Sequence, residues 1–181
     1  MKKLFLACGL LVFLALLYVY KIPILCMGEI SYDLKDLDDG FEKKVRTLLA
    51  KMEKKYSISV RSVYRSNICQ NRLYDISQQM KKVIGTGLTT QKGGTSCHNH
   101  AKNGVPASLA VDVRPNILFK DKQAEFYAEL QKEAKKLGLR TGASFSDGER
   151  YNPWRKYGLG WDPGHIDIGY SACKAKLKRM K

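Results

Sequence analysis

The sequence predicts an α+β domain preceded by a separate membrane-directed segment, and three observations carry that reading. The chain of 181 residues is 44% hydrophobic and 27% charged, which supplies enough apolar material for one core. Apolar residues recur at helical spacing in some stretches and in short strand-like runs in others, and the two kinds do not alternate regularly as a parallel α/β fold requires. The third observation is the amino end, where MKK leads into LFLACGLLVFLALLYVY, seventeen uncharged residues from Leu4 to Tyr20.

That run lies at the short end of the roughly 17–25 residues that span a bilayer and beyond the roughly 7–15 of a signal-peptide core. The following YKIPILCMGEIS offers no small-x-small cleavage site, and neither Cys8 nor Cys26 stands in a lipoprotein context. The segment therefore reads as an uncleaved signal anchor, with a cleaved signal peptide as the alternative. Lys2 and Lys3 precede it, which keeps the amino end in the cytoplasm and sends the rest across. Residues 1–30 are thus assigned to the leader and 31–181 to an extracytoplasmic domain, in the periplasm or cell envelope.

Cys69, Cys97 and Cys173 fall in that domain, and an oxidising compartment allows one bridge among them with one thiol left over. The net charge of +15 lies mostly in the same part, in KDLDDGFEKKVRTLLAKMEKK and in the tail KAKLKRMK. A basic surface concentrates near polyanions, and export argues for cell wall or lipid headgroups and against nucleic acid.

Along the domain, Phe41, Val45, Leu48, Leu49 and Met52 mark one face of a helix within 38–55. SISVRSVYRS then alternates like a strand, and a second helix is expected from Asn67 to about Val83. VIGTGLTTQKGGTS reads as a loop, and SLAVDV as a short strand stopped by Pro115. A third helix fits DKQAEFYAELQKEAKKLG, with Asp121 as N-cap and Gly138 at its end. LRTGASFSD and HIDIGY are the remaining strand candidates.

All three histidines, His98, His100 and His165, fall in two segments that also hold isolated carboxylates: Asp112 in LAVDV, and Asp162 with Asp167 in GWDPGHIDIGY. An aspartate within a buried strand costs several kcal/mol unless it is paired or metal-bound. For Asp112 alone, pairing with Arg114 is the plain reading. Taken together, two histidines and a carboxylate meet what a catalytic zinc asks of a protein, with a fourth position open for water. Asp162, in a proline- and glycine-containing turn three residues before His165, is placed to act as a general base without holding the metal.

These residues resemble the zinc D-alanyl-D-alanine carboxypeptidases and L-alanyl-D-glutamate endopeptidases, whose signature runs Ser-x-His, Ala-x-Asp, then Trp-x-x-x-His with an acidic residue three before the histidine. Here the segments are SCH at 96–98, AVD at 110–112 and WDPGH at 161–165. SVYRSNICQNRLY upstream is similar to the family's arginine-bearing strand and the helix after it. The resemblance covers roughly 57–170 and implies a small antiparallel sheet flanked by helices, shared with the Hedgehog signalling domain. It implies Zn2+ held by His98, Asp112 and His165, Asp162 as general base, Arg65 beside the scissile carbonyl or substrate carboxylate, and Gln70 among the substrate contacts. The implied substrate is the stem peptide of peptidoglycan. Thirteen residues separate His98 from Asp112, more than the family's compact pattern; the insertion HAKNGVP absorbs the excess and leaves His100 as a rival to His98.

Cys69 follows Arg65 by one helical turn and Cys97 directly precedes His98, so a Cys69 to Cys97 bridge is expected. Contiguous HNH at 98–100 does not fit HNH nucleases, whose three residues are spread over a ββα unit. A Cys97 nucleophile leaves Asp112 and WDPGH unexplained. The competing function is a non-catalytic, zinc-retaining wall-binding module of the same fold.

Overall fold

The computed structural model describes Cys26 and residues 28–84, 89–146 and 152–179. The expected anchor at Leu4–Tyr20 lies outside the described residues, and among those described no helix is long and apolar enough to cross a membrane.

Helix α1 spans Asp39–Met52, and the five apolar residues that its periodicity singles out are all buried. Asp39 and Glu42 stand in its first turn and Lys51 in its last, the senses that the helix dipole favours. Strand β1 (Ile58–Ser62) and helix α2 (Asn67–Ile84) follow. Two-residue strands β2 (Ala101–Lys102) and β3 (Val105–Pro106) precede β4 (Ala110–Pro115). Then come α3 (Lys120–Lys136), β5 (Arg140–Gly142), β6 (Asp162–Asp167) and α4 (Tyr170–Lys178).

Strands β1, β4, β6 and β5 form, in that order, a four-stranded antiparallel sheet. Alternation along β4 sorts its side chains: Val111 and Val113 join the core, while Asp112 between them faces the other side. The core is shared with the inner stripe of α1, with Phe126, Leu130 and Ala134 of α3, and with Ile166 of β6. One face of the sheet is thereby closed by helices, leaving the polar face for the site.

Several boundaries differ from those expected. Helix α3 begins one residue before Asp121, with Phe119 as N-cap; Asp121 lies in the first turn and accepts a hydrogen bond from the Tyr157 hydroxyl. Gly138 does end α3: at φ +68° it lets its own N–H reach the Lys135 carbonyl and the Leu139 N–H reach that of Ala134. HIDIGY is split, because β6 starts at Asp162 and Tyr170 already opens α4. In the basic tail, Cys173 and Leu177, four apart, seat α4 against Leu109. The insertion HAKNGVP is the β2–β3 hairpin, turned by Asn103 and Gly104, both at positive φ.

The cysteine pairing also differs. Cys26 joins Cys69, and Cys97 joins Cys173. The Cys69 to Cys97 expectation fails because Cys26 belongs to the folded domain and not to the leader. Beside it, Glu29 accepts from Ser66 and pairs with Arg72 at 2.7 Å, and Ile30 bridges to Arg65. The folded unit therefore takes in Cys26 and 28–30, ahead of the boundary at 31.

Gly164 shows how closely β6 lies against β4. A Cβ there would come 2.3 Å from the Val113 carbonyl oxygen. Gly164→Ala is therefore expected to force the two strands apart and to cost about 1–3 kcal/mol of stability, read from denaturant unfolding followed by circular dichroism. Unchanged stability in that variant would show that the strands have room to spare.

Candidate metal centre

Register creates the site. Antiparallel pairing of β4 and β6 sets Asp112 opposite His165, and pairing of β1 with β4 sets Ser62 opposite Asp112. The third donor arrives on the turn Cys97–Asn99, whose geometry explains the serine of SCH: Ser96 Oγ accepts from the His98 N–H at 3.3 Å and caps the turn. Asn99 completes the cap from the other side, and its Nδ2 donates to the Arg65 carbonyl at 2.7 Å. The Arg65 N–H in turn donates to the His98 carbonyl at 3.0 Å. The histidine turn and the arginine segment therefore hold each other in place.

His98, Asp112 and His165 each offer a ligand atom, and these atoms lie within 4.8 Å of one another. His98 is 2% exposed, and its Nδ1 lies 2.6 Å from the Val63 carbonyl oxygen. A carbonyl only accepts, so Nδ1 carries the proton and Nε2 presents a lone pair. That Nε2 is buried, 3.3 Å from Asp112 Oδ1, and makes no hydrogen bond. A buried lone pair without a donor, beside a carboxylate oxygen, is what a cation needs and what a purely structural histidine avoids. His100 is held elsewhere, its Nδ1 2.5 Å from the Ala107 carbonyl.

His165 lies between two carboxylates, with Nδ1 2.9 Å from Asp112 Oδ1 and Nε2 3.1 Å from Asp167 Oδ2. Asp167 is 1% exposed and takes a two-pronged contact from Arg140, at 2.9 and 2.5 Å, and the Gly169 N–H at 2.7 Å. Such a carboxylate orients a histidine so that its far nitrogen faces a metal. The role of Asp167 with Arg140 escapes the motif reading, although HID on a strand puts His165 and Asp167 on one face. Phe145 covers the imidazole at a ring separation of 5.6 Å, and the Arg140 guanidinium stacks on Phe145 at 4.7 Å.

Arg65 is beside the site, but its partner is Asp112: Nη2 donates to Asp112 Oδ2 while Nε donates to Ser62 Oγ at 2.8 Å. The plain pairing of Asp112 with Arg114 is thereby replaced, and Arg114 is exposed. Gln70 stands in α2, and its buried Oε1 has no hydrogen-bond partner among the described residues. It is fully buried, and its Nε2 donates to Gln91 O at 2.8 Å and Thr89 Oγ1 at 3.2 Å, which holds the 89–91 segment. Asp162 is the first residue of β6, paired with Gly142, and so is not in a turn; it lies close enough to His165 to favour the imidazolium. Cys97 is in a disulfide and has no thiol to act as nucleophile.

Burial opposes charge on His98 and Arg65 adds to that effect, so its pKa falls below the ordinary 6.5. Burial opposes charge on His165 as well, but the carboxylates of Asp112 and Asp167 outweigh it and push its pKa up to about 10. Asp112 is held well below its ordinary value because His98, Arg65 and His165 overcome its own burial. Asp167 is lowered in the same way by His165 and Arg140.

No family model matches the chain, and no curated protein matches it. Among solved structures it is similar to the LD-carboxypeptidase LdcB, at 16% identity and a TM-score of 0.44 over 80% of this chain and 64% of that one, so it spans less than two thirds of that chain's length. It is similar to the vancomycin-resistance D,D-pentapeptidase VanY of a VanB-type cassette in complex with Zn(II), at 20% identity and a TM-score of 0.49 over 78% of each chain. A third is DacB from Streptococcus pneumoniae, at 16% identity and a TM-score of 0.44 over 84% of this chain and 78% of that one.

The charge pattern fixes how the metal-free protein responds to pH. The raised pKa of His165 contributes stability that is complete below its ordinary 6.5 and is lost as pH rises through about 10. The lowered Asp112 and Asp167 contribute above their ordinary 3.8 and lose that contribution as pH falls through their depressed values. Denaturant midpoints in chelator should therefore decline from near-neutral pH toward 10, and Asp167→Asn should move that decline to lower pH. A midpoint that stays flat across that range would sink the assignment of His165 as an imidazolium.

Proposed function

We propose that this chain is a zinc-dependent peptidase of the peptidoglycan stem peptide, of the D-Ala-D-Ala carboxypeptidase or L-Ala-D-Glu endopeptidase type. The observation that carries the reading is the buried, unpaired Nε2 of His98 facing Asp112 Oδ1 and the Nδ1 side of His165. Two imidazole nitrogens and one carboxylate oxygen are a donor set that suits zinc and leaves a position open. When bound, zinc supplies a Lewis acid and lowers the pKa of water to about 7.

The remaining steps belong to the chain. Asp112 would offer Oδ1 to a metal, and Arg65, by holding Oδ2, keeps the carboxylate from swinging away. The Asp167–Arg140 pair keeps His165 turned with Nδ1 toward the place a metal would take, and the Val63 carbonyl, by holding Nδ1 of His98, turns that ring's Nε2 the same way. Asp162 accepts the proton of the attacking water and passes it to the leaving amine. The Arg65 guanidinium, beside the site, stabilises the oxyanion. The substrate class rests on the ordered motifs SCH, AVD and WDPGH, and a net charge of +15 suits an anionic wall. Action on that polymer places the domain outside the cytoplasm, held there by the amino-terminal run if it stays uncleaved.

Elemental analysis and mass spectrometry of digested muropeptides test the roles separately. Wild type should carry one zinc and shorten the stem peptide. Asp162→Ala should keep the zinc and lose at least about 10²–10⁴-fold in turnover, whereas Asp112→Ala should lose the zinc. Stoichiometric zinc with no hydrolysis of any stem peptide would favour the wall-binding module. No zinc, and no activity on adding it, would overturn both readings.

A further inference from the structure

The loop from Asn116 to Phe119, between β4 and α3, carries the two most exposed large apolar side chains among the described residues, Leu118 at 94% and Phe119 at 76%. Neighbours in sequence, they form a protruding pair, unlike the singly scattered apolar residues normal on a surface. The backbone beneath them is pinned. The Asn116 N–H donates to the Ser57 carbonyl at 2.8 Å, and its side chain bonds Ser57 and Ser59 at 2.9 and 2.6 Å. On the other side Gln123 Nε2 donates to the Ile117 carbonyl at 2.5 Å, and the Gln123 N–H to that of Phe119 at 3.0 Å. A loop fastened at both ends holds its apolar pair outward and does not fold it back onto the core.

The surroundings indicate the occupant. Lys120 follows the pair directly, with Nζ 5.0 Å over the Trp154 ring, and Lys156 lies 4.6 Å over the ring of Tyr157. The acids nearby are already engaged, Asp121 by the Tyr157 hydroxyl and Glu125 by Lys122 at 2.8 and 2.9 Å. Exposed aliphatic and aromatic tips, amphipathic Trp and Tyr, and lysines beside them are the elements of an interfacial membrane contact. A protein partner would match the apolar pair but gives no reason for the flanking lysines.

We propose that this tip seats in the headgroup region of an anionic bilayer. The proposal stands apart from the peptidase reading, since none of these residues belongs to the metal centre. The test uses the full chain with Cys8→Ser, both disulfides left oxidised, reconstituted in vesicles and labelled with a nitroxide at Leu118→Cys or, as control, at Val105→Cys on the β2–β3 hairpin. In phosphatidylglycerol-containing vesicles the label at 118 should lose most of its accessibility to an aqueous relaxant and gain accessibility to oxygen, while that at 105 stays aqueous. Raised salt, or phosphatidylcholine alone, should release the label at 118. A label at 118 as water-exposed as that at 105 in anionic vesicles overturns the proposal. So does protection at 118 without vesicles, which would assign the tip to a second copy of the chain, and so does protection that persists in phosphatidylcholine alone.

Discussion

The half-buried carboxylate of Asp112 in a central strand constrains everything around it. An anion there must be compensated on every side. Arg65 meets one oxygen, and His98 and His165 flank the other. Each of the three compensating groups comes from a different part of the chain, so a single strand position obliges the segment after β1, the 97–99 turn and β6 to converge. The sheet order β1-β4-β6-β5 makes this possible, because β4 lies between the strand leading to Arg65 and the strand bearing His165.

A second layer of groups decides what the first can do. The Val63 carbonyl sets the tautomer of His98, and Asp167, neutralised by Arg140, orients His165. The two imidazoles are pushed in opposite directions: the pKa of His98 is lowered and that of His165 raised. One site thus holds a ready lone pair and, next to it, a proton that an incoming cation must displace.

Helices with strong periodicity were legible in the sequence: α1 buries the residues its spacing singles out, and α2 starts at the expected Asn67. The grouping of His98, Asp112 and His165, whose donor atoms lie within 4.8 Å of one another, was legible as well, because isolated carboxylates near histidines stand out in apolar strands. What escaped notice depended on partners far away in sequence. Gln70 matches a motif position, but only the fold shows it buried under 89–91. The pairing of Cys26 was hidden by its nearness to the apolar leader, and helix α4 by a lysine-rich tail in which Cys173 and Leu177 carry the packing. The Asn103-Gly104 dipeptide within the insertion is the sequence signal of the β2–β3 hairpin.

The two disulfides tie this architecture to its chemical surroundings. Cys97–Cys173 closes a stretch that contains His98, Asp112 and His165, while Cys26–Cys69 fastens the start of the domain to α2. With separations of 76 and 43 residues, each removes about 4 kcal/mol of unfolded-state freedom in the chain-entropy view. Small domains are stable by only about 5–15 kcal/mol in all. The oxidised and reduced chains therefore differ in their margin by as much as the whole stability of a weak domain. Holding His98, Asp112 and His165 together is thereby linked to thiol oxidation, and an oxidising compartment widens the margin by which the three stay assembled.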